Sequence, residues 1–508
     1  MMKDQKKQGI LISYVNIVLS TLVNIVLTPI LISSLTDEGY SIYKIMRSFA
    51  GPLAMLNLGV STVVARNVAK YLACDESNER EKENMYAIAT LLSAALCGLI
   101  MVAGYIMQMA IPTVYKDSFS AENIQLAQKM FMVFTSTTAV HILTEPFRGT
   151  ITGHGRFVVY YGSQTLQYIF RFASIYVLVK HGYDALSVAM VDLVISIAIL
   201  VAYCIYDFLI LHQRIKLHYF DKKSLIEFSS FALAILLQAV VNQVNNNLDI
   251  IILGASEAAE IITMYSSALT IYSVYNMLIS VFSGVYLPQA TKLVEQKATG
   301  EQLTDFVIKP GRIQAMIAVC VVGGFAVSGM DFISIWIGSQ YINAYYVALF
   351  LMIPVTIPLV ESVAIAILDA KLKRVFRSLT LVFMAIGNAI LTLILVRFLG
   401  FWGALIGTVI SLLLGHGLLM NIYYKKEIGI NVGRMFKEIF SGTLIAGFLG
   451  VAVCLPLSLL IKGTIVSFLV KAVCFVVIYG VSMLIFGLKN EEKKLVHTYL
   501  NKILKRNS

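Results

Sequence analysis

Charge is what this 508-residue chain has least of: Asp, Glu, Lys and Arg together make up 14% of it, against 58% hydrophobic residues. That is too little charge to cover a soluble surface of such size. Cysteine is scarce as well. The six present (Cys74, Cys97, Cys204, Cys320, Cys454 and Cys474) form no CxxC pair, which argues against a disulfide framework or a sulfur-based metal site. The seven histidines show no ligand spacing. No GxxxxGK[ST] loop, HExxH or GxSxG occurs, so neither ATP-phosphate binding nor a familiar hydrolytic centre is signalled. The chain is expected to be no enzyme and to need no cofactor or metal.

What fills the chain instead is fourteen apolar stretches of spanning length. They run roughly 8–34, 43–70, 86–111, 123–146, 157–179, 185–211, 227–253, 260–288, 313–336, 345–370, 379–397, 403–424, 441–461 and 465–487. About 20 apolar residues carry a helix across ~30 Å of hydrocarbon, so an all-α polytopic membrane protein is expected. The basic N-terminus precedes an apolar run too long for a signal peptide, with Pro29 where a cleavage site would want a small residue. It is read as a retained first helix.

Of the 40 Lys and Arg residues, 31 lie on one set of flanks, in the N-terminus, 66–82, 148–156, 214–223, 292–312, 371–377, 425–437 and the tail from 489. Only Lys116, Lys180, Arg397 and Lys462 lie on the other. The positive-inside rule then places both termini in the cytoplasm. The net charge of +11 is a face turned to anionic headgroups rather than to nucleic acid, because it is spread over many short segments. Segments 425–440 and the tail after 489 also set apolar residues at helical spacing beside cations, as helices in the headgroup layer would.

The chain repeats weakly at an offset of 216–222, pairing Thr144-Glu145-Pro146 with Val360-Glu361-Ser362. Six helices per copy make the repeat parallel. The expected organisation is a six-helix lobe at 1–220, a second at 221–440, and helices thirteen and fourteen with an amphipathic tail at 441–508.

Charges inside spans cost several kcal/mol, on the order of 3, and are normally kept for a pathway or a partner. The fifth span sets Tyr160, Gln164, Gln167, Arg171 and Ser174 on one face, and the seventh sets Gln238, Asn242, Asn245 and Asp249 likewise. Such stripes line a cavity or form a hydrogen-bonded seam with another helix; an arginine at mid-depth favours the cavity. Arg171 and Asp192 lie equally far from the turn joining the fifth and sixth spans, about 14–16 Å deep, and an ion pair between them is expected. Lys44 and Arg47 open the second span, and Asn276 adds an amide in the eighth. Amides beside tyrosines suit hydroxyl-rich ligands such as sugars. Asp249, Glu361 and Asp192 are candidates for taking up an ion during a transport cycle; Lys471 is a further cation within a span.

Several segments resemble the Wzx-type polysaccharide-biosynthesis flippases of the multidrug/oligosaccharidyl-lipid/polysaccharide exporter superfamily. They are Arg47-Ser48-Phe49-Ala50-Gly51-Pro52-Leu53 with Leu56-Asn57-Leu58-Gly59-Val60-Ser61, Asn247-Leu248-Asp249 with its apolar continuation, and Leu399-Gly400-Phe401-Trp402-Gly403-Ala404-Leu405 running on to Tyr423-Tyr424-Lys425-Lys426. The resemblance implies paired lobes in the arrangement of multidrug and toxin extrusion (MATE) transporters and alternating access. It also implies an undecaprenyl-diphosphate-linked oligosaccharide as cargo, moved between leaflets of the cytoplasmic membrane. Cavity arginines of that family hold the pyrophosphate, which puts the role on Arg47 and Arg171; the positions of the residues themselves, apart from the resemblance, make Lys44, Gln164, Gln167, Asn242, Asn245 and Asn276 further candidate contacts. Partners implied are membrane lipids, a polysaccharide polymerase and glycosyltransferases. The first span offers Asn16 and Asn24 but no arginine, unlike lipid II flippases, which disfavours that substrate.

Three other readings compete. A multidrug or cation antiporter of the same fold would want an acidic cavity, and Lys44, Arg47 and Arg171 argue against one. A membrane glycosyltransferase or polymerase would want a large outer loop, and the longest outward loop is about ten residues. A non-transporting scaffold would have little use for buried cations.

Overall fold

A computed structural model describes residues 2–54, 59–73, 79–219, 247–280, 286–371, 373–460, 464–489 and 492–493. The expected lobe boundary at 220/221, the residues Gln238, Asn242 and Asn245, and the tail beyond 493 lie outside the described residues. No strand occurs among those described. The protein is all-helical and multi-pass, as the sequence leads one to expect.

Eight described helices are long and apolar enough to cross a membrane, or nine if the bent pair Val432–Phe440 and Thr443–Pro456 counts as one. Helices at 121–153 and 157–180 fall outside that number because polar and charged residues lower their mean hydropathy. These are the helices that carry the candidate site. The second expected span is broken, with one helix ending at Ala54 just after Pro52 and the next starting beyond Gly59, whose φ is +62°.

The helices fall into two compact units, Met1–Ser266 with Thr392–Ala404, and Ser267–Leu391 with Leu405–Ser508. The first unit holds α1 (Met2–Ser34), α2 (Asp37–Ala54), α3 (Val60–Ala73), α4 (Glu79–Val114), α5 (Ala121–Gly153), α6 (Phe157–Lys180) and α7 (Ala185–Ile205), and the described residues 247–254 are helical too (α8). Helix α5 is its hub, packing on α2, α3, α4 and α7, while α6 lies along α1. Its N-terminus is capped by Ser120, whose Oγ accepts from the Asn123 amide. The crossing with α3 depends on two glycines four residues apart, a spacing that lets backbones meet in lipid. A Cβ on Gly149 would sit 2.7 Å from the Ser61 carbonyl oxygen, and one on Gly153 2.9 Å from that of Ala65. Gly149→Leu should therefore push α3 and α5 apart, costing about 1–3 kcal/mol as an overpacked core does. Lower abundance in the membrane and earlier thermal unfolding would register it; unchanged values would show that the crossing yields freely.

In the second unit α9 (Ala259–Ser280, which begins in the first), α10 (Leu287–Glu295), α11 (Gly300–Trp336), α12 (Asn343–Val360), α13 (Ser362–Ala370), α14 (Arg374–Leu399) and α15 (Phe401–Leu412), the last two except for Thr392–Ala404, are followed by α16 (Val432–Phe440), α17 (Thr443–Leu460) and α18 (Ile465–Ser482). Helix α11, begun by a Thr299/Gln302 capping box, is the axis on which α12, α17 and α18 pack. The ring of Phe475 lies where Gly323 and Gly450 leave room, at 2.5 and 2.9 Å from the Cβ positions they lack. Lys471 Nζ meets Asp331 Oδ2 at 2.5 Å, and the Ser467 hydroxyl donates to the same oxygen. Lys471, one of the cations expected to mark function, is thus a tie between α18 and α11. Its partner is 140 residues away, out of reach of a sequence reading.

The segment 425–440 also differs from expectation. Met435 and Ile439 on α16 are fully buried among residues of α10, α11 and α13. The apolar face that was to lie in headgroups is docked on protein. A narrow stripe suffices for that, since only two side chains of nine need a pocket.

Candidate functional site

Helix α2 opens with Asp37 and Glu38, which suit the positive end of its dipole. One turn further in, Tyr43 and Arg47 stand four residues apart on one face. The hairpin of α6 and α7 reverses at Gly182, with φ +76°, and Asp184 caps α7 by accepting from the Ser187 amide at 3.0 Å. That tight turn sets Arg171 and Asp192 at one depth.

The expected ion pair is present. Arg171 Nε lies 2.6 Å from Asp192 Oδ1, and Nη2 lies 3.4 Å from Oδ2. Arg47 Nη1 reaches the same carboxylate at 3.5 Å. The Tyr43 hydroxyl accepts from both guanidiniums, at 2.7 Å from Arg47 and 3.1 Å from Arg171. These side chains bring three helices to one point. The arginines are not equivalent, however. The side chain of Arg47 is 49% exposed and that of Arg171 only 11%. Arg171 is largely committed to Asp192, whereas Arg47 has donors to offer.

They open onto a cavity of about 560 Å³ inside the first unit. Arg47, Arg171, Asp192 and Gln167 line it together with Asn24, Asn247, Ser20, Tyr168 and His141. Two guanidiniums against one carboxylate leave the wall cationic. Anions are the ligands this arrangement suits, and a guanidinium fork binds phosphate oxygens in pairs.

Other expected residues are placed differently. Gln164 does not line the cavity: its Nε2 donates to the Tyr160 hydroxyl, and its Oε1 accepts from Asn16 Nδ2 at 3.4 Å. Asn16 also donates to the Tyr161 carbonyl and accepts from Thr165. The polar stripe of α6 thus divides. One part is a seam with α1, and Gln167 and Arg171 face the cavity. Lys44 lies off the wall, its ammonium 5.3 Å from the centre of the Tyr40 ring. Asp249 is buried, accepting from Tyr265 at 2.8 Å and Thr392 at 3.4 Å. Asn276, in the second unit, donates to the Tyr272 carbonyl of its own helix.

Glu361 sits where α12 gives way to α13, after Pro354 and Pro358 have removed two donors from the helical ladder. It is fully buried and accepts from Asn421 Nδ2 at 2.7 Å, while its Oε2 has no partner among the described residues. Its repeat mate Glu145 is as buried and pairs with Arg148 at 2.6 Å.

Sequence reasoning passed over Tyr43, His141 and Glu145–Arg148. Tyr43 and Arg47 four apart carried a signal. His141 did not, being a lone imidazole in an apolar run.

The second unit has a groove of a different kind, about 620 Å³ and lined by Val322, Ile353, Ile357, Leu413, Leu444 and Phe448 among other apolar side chains.

The solved structure of a lipid II flippase, MurJ, in an inward closed conformation superposes with a TM-score of 0.73 at 14% identity, over 94% of this chain and 98% of that one. An inward-facing multidrug resistance MATE transporter of the MOP superfamily gives 0.64 at 15% identity, over 82% and 96%. A MOP superfamily transporter from Pyrococcus furiosus, described as having a binding pocket of reverse polarity, gives 0.53 at 14%, over 84% and 96%. At such identities the likeness establishes the fold. No curated protein sequence matches. The pattern of the polysaccharide biosynthesis protein family, however, matches residues 7–294, more than half of the chain. By that match the chain belongs to the polysaccharide biosynthesis protein family.

Proposed function

We propose that this protein is a flippase, not an enzyme, that carries a polyprenyl-diphosphate-linked oligosaccharide from the inner to the outer leaflet of the cytoplasmic membrane by alternating access. The observation that carries the reading is the cationic cavity built by Arg47, Arg171 and Tyr43, with Arg47 half-exposed into it. A lipid diphosphate brings about two negative charges into a place of low dielectric, where fixed guanidiniums are worth most. Gln167, Asn24 and Asn247 supply amides for sugar hydroxyls beside the charge. Family membership and the exporter fold support the same conclusion. The lobes at 1–220 and 221–440 would be the moving parts, with both termini in the cytoplasm and a polymerase and glycosyltransferases acting before and after.

The test is transbilayer movement in vesicles holding the purified protein. A fluorescent prenyl-diphosphate-linked oligosaccharide should become accessible to a lectin on the opposite side, and its monophosphate analogue should move much more slowly. Equal rates for the two would remove the diphosphate reading. Efflux of a cationic dye without lipid movement would favour the antiporter.

A further inference from the structure

One imidazole also lines the cavity. His141, on α5, is partly exposed and lines the same wall as Arg47, Arg171 and Asp192. Its Nε2 lies 3.2 Å from Ser196 Oγ. That hydroxyl is 2.6 Å from the Asp192 carbonyl oxygen, and only a donated hydrogen permits two oxygens so close. The single hydroxyl proton is thereby committed, so Ser196 Oγ must accept from His141. The imidazole carries its proton on Nε2, and Nδ1 has no partner among the described residues.

We propose that His141 is a third ligand for the cargo anion and binds it as an imidazolium, taking up one proton at Nδ1 as the diphosphate enters. This rests on the flippase reading and deepens it. The charge balance explains why a proton would follow. Two guanidiniums and one carboxylate give the wall about one positive charge, and a diphosphate diester brings about two negative ones. A protonated His141 closes the difference, and in a cavity walled by lipid-embedded helices an uncompensated charge is costly.

The charges facing the ring are Glu145 and Arg148 on its own helix, Asp192 on α7 and Arg47 on α2. Glu145 and Arg148 are paired with one another, so they cancel to first order. Helix α6 contributes Arg171, already counted, and the charges of α4 lie in its first turn at Glu79–Glu83. Those of α3 are Arg66 and Lys70, in its second half. Among the described residues no other charged side chain lines the cavity.

An anion that binds the protonated ring more tightly raises its proton affinity. Binding should therefore strengthen as pH falls and weaken as pH rises through the imidazole range, by up to tenfold per pH unit for one linked proton. The probe is a short-chain prenyl-diphosphate-linked N-acetylglucosamine, a diester without the phosphate ionisation near pH 6 that would confuse the reading. Calorimetry on the full-length protein, in buffers of different ionisation heat between about pH 6 and 8, counts protons taken up per ligand. The expected result is up to one proton for wild type and none for His141→Gln, whose affinity should be nearly independent of pH. The monophosphate-linked sugar, with a single charge, should bind without proton uptake.

Wild-type binding that depends on Arg47 but takes up no proton would overturn the role of His141 and leave the flippase reading intact. So would uptake persisting in His141→Gln, or equal uptake with the monophosphate. Binding indifferent to Arg47→Ala would instead overturn the flippase reading itself. The wild-type proton count needs no variant to fold.

Discussion

Arg47→Ala should abolish glycan export in a flippase-deficient strain while leaving the protein in the membrane at normal abundance. Arg47 is the more exposed cavity arginine, and its interactions with Tyr43 and Asp192 are shared with Arg171, which keeps both partners satisfied when Arg47 is gone. The fold thus loses little. The cargo loses a charge-assisted fork, about 1.5–3 kcal/mol per hydrogen bond to a charged group, and so about two to four decades of binding if two are made. Arg47→Lys should restore export only in part, since an ammonium keeps the charge without the paired geometry. Arg171→Ala should also abolish export, but it strands the Asp192 carboxylate. Comparison with Arg171→Ala, Asp192→Asn separates lost binding from lost stability. The measurement is complementation with membrane abundance recorded alongside. Full export by the Arg47→Ala, Arg171→Ala double variant would show that the cations do not hold the substrate.

Arg312→Leu should destabilise the second unit by about 3–5 kcal/mol, the cost of breaking a buried pair and leaving its partners behind. All five guanidinium hydrogens are used. Nε meets Glu492 Oε1 at 2.7 Å, Nη1 meets the carbonyls of Glu438 and Ser441 at 2.9 Å each, and Nη2 meets the Gly487 carbonyl and, at 3.2 Å, Glu492 Oε2. These carbonyls close the C-terminal ends of α16 and of the helix that continues α18. Arg312→Lys, with three donors at one point, should recover less than half of the loss. Thermal unfolding in detergent reads it; an unchanged midpoint for Arg312→Leu would mean that water or lipid replaces all five bonds.

Which parts of the molecule could be read beforehand follows from how local each interaction is. The Arg171–Asp192 pair was legible because a short hairpin turns sequence distance into equal depth. The all-helical architecture was legible because lipid leaves few alternatives for the backbone. The fate of Gln164 was not, since the seam that absorbs it needs Asn16 from a helix nearly 150 residues earlier. Arg312 gave no signal at all. It lies at a span boundary where arginines are common, and most of its partners are backbone carbonyls that no side chain marks. The buried face of α16 was legible as apolar, but its periodicity could not say whether lipid or protein covers it. Hydropathy misleads in a particular direction here: the polar residues that make α5 and α6 worth having also make them look least like membrane helices.

The α6–α7 hairpin also bears on how the chain enters the bilayer during synthesis. Alone, α6 would present Arg171 to hydrocarbon at a cost of about 2.5–3.5 kcal/mol on the insertion scale, and α7 would present Asp192 at a similar one. The turn at Gly182 is only a few residues long, so the second helix emerges from the ribosome almost as soon as the first is complete. The two can leave the translocon together, already neutralised by their 2.6 Å contact. Lengthening that turn by a flexible stretch would leave every contact of the finished protein available. It would still expose α6 as a solitary, poorly inserting segment, and the molecules lost would be lost at birth.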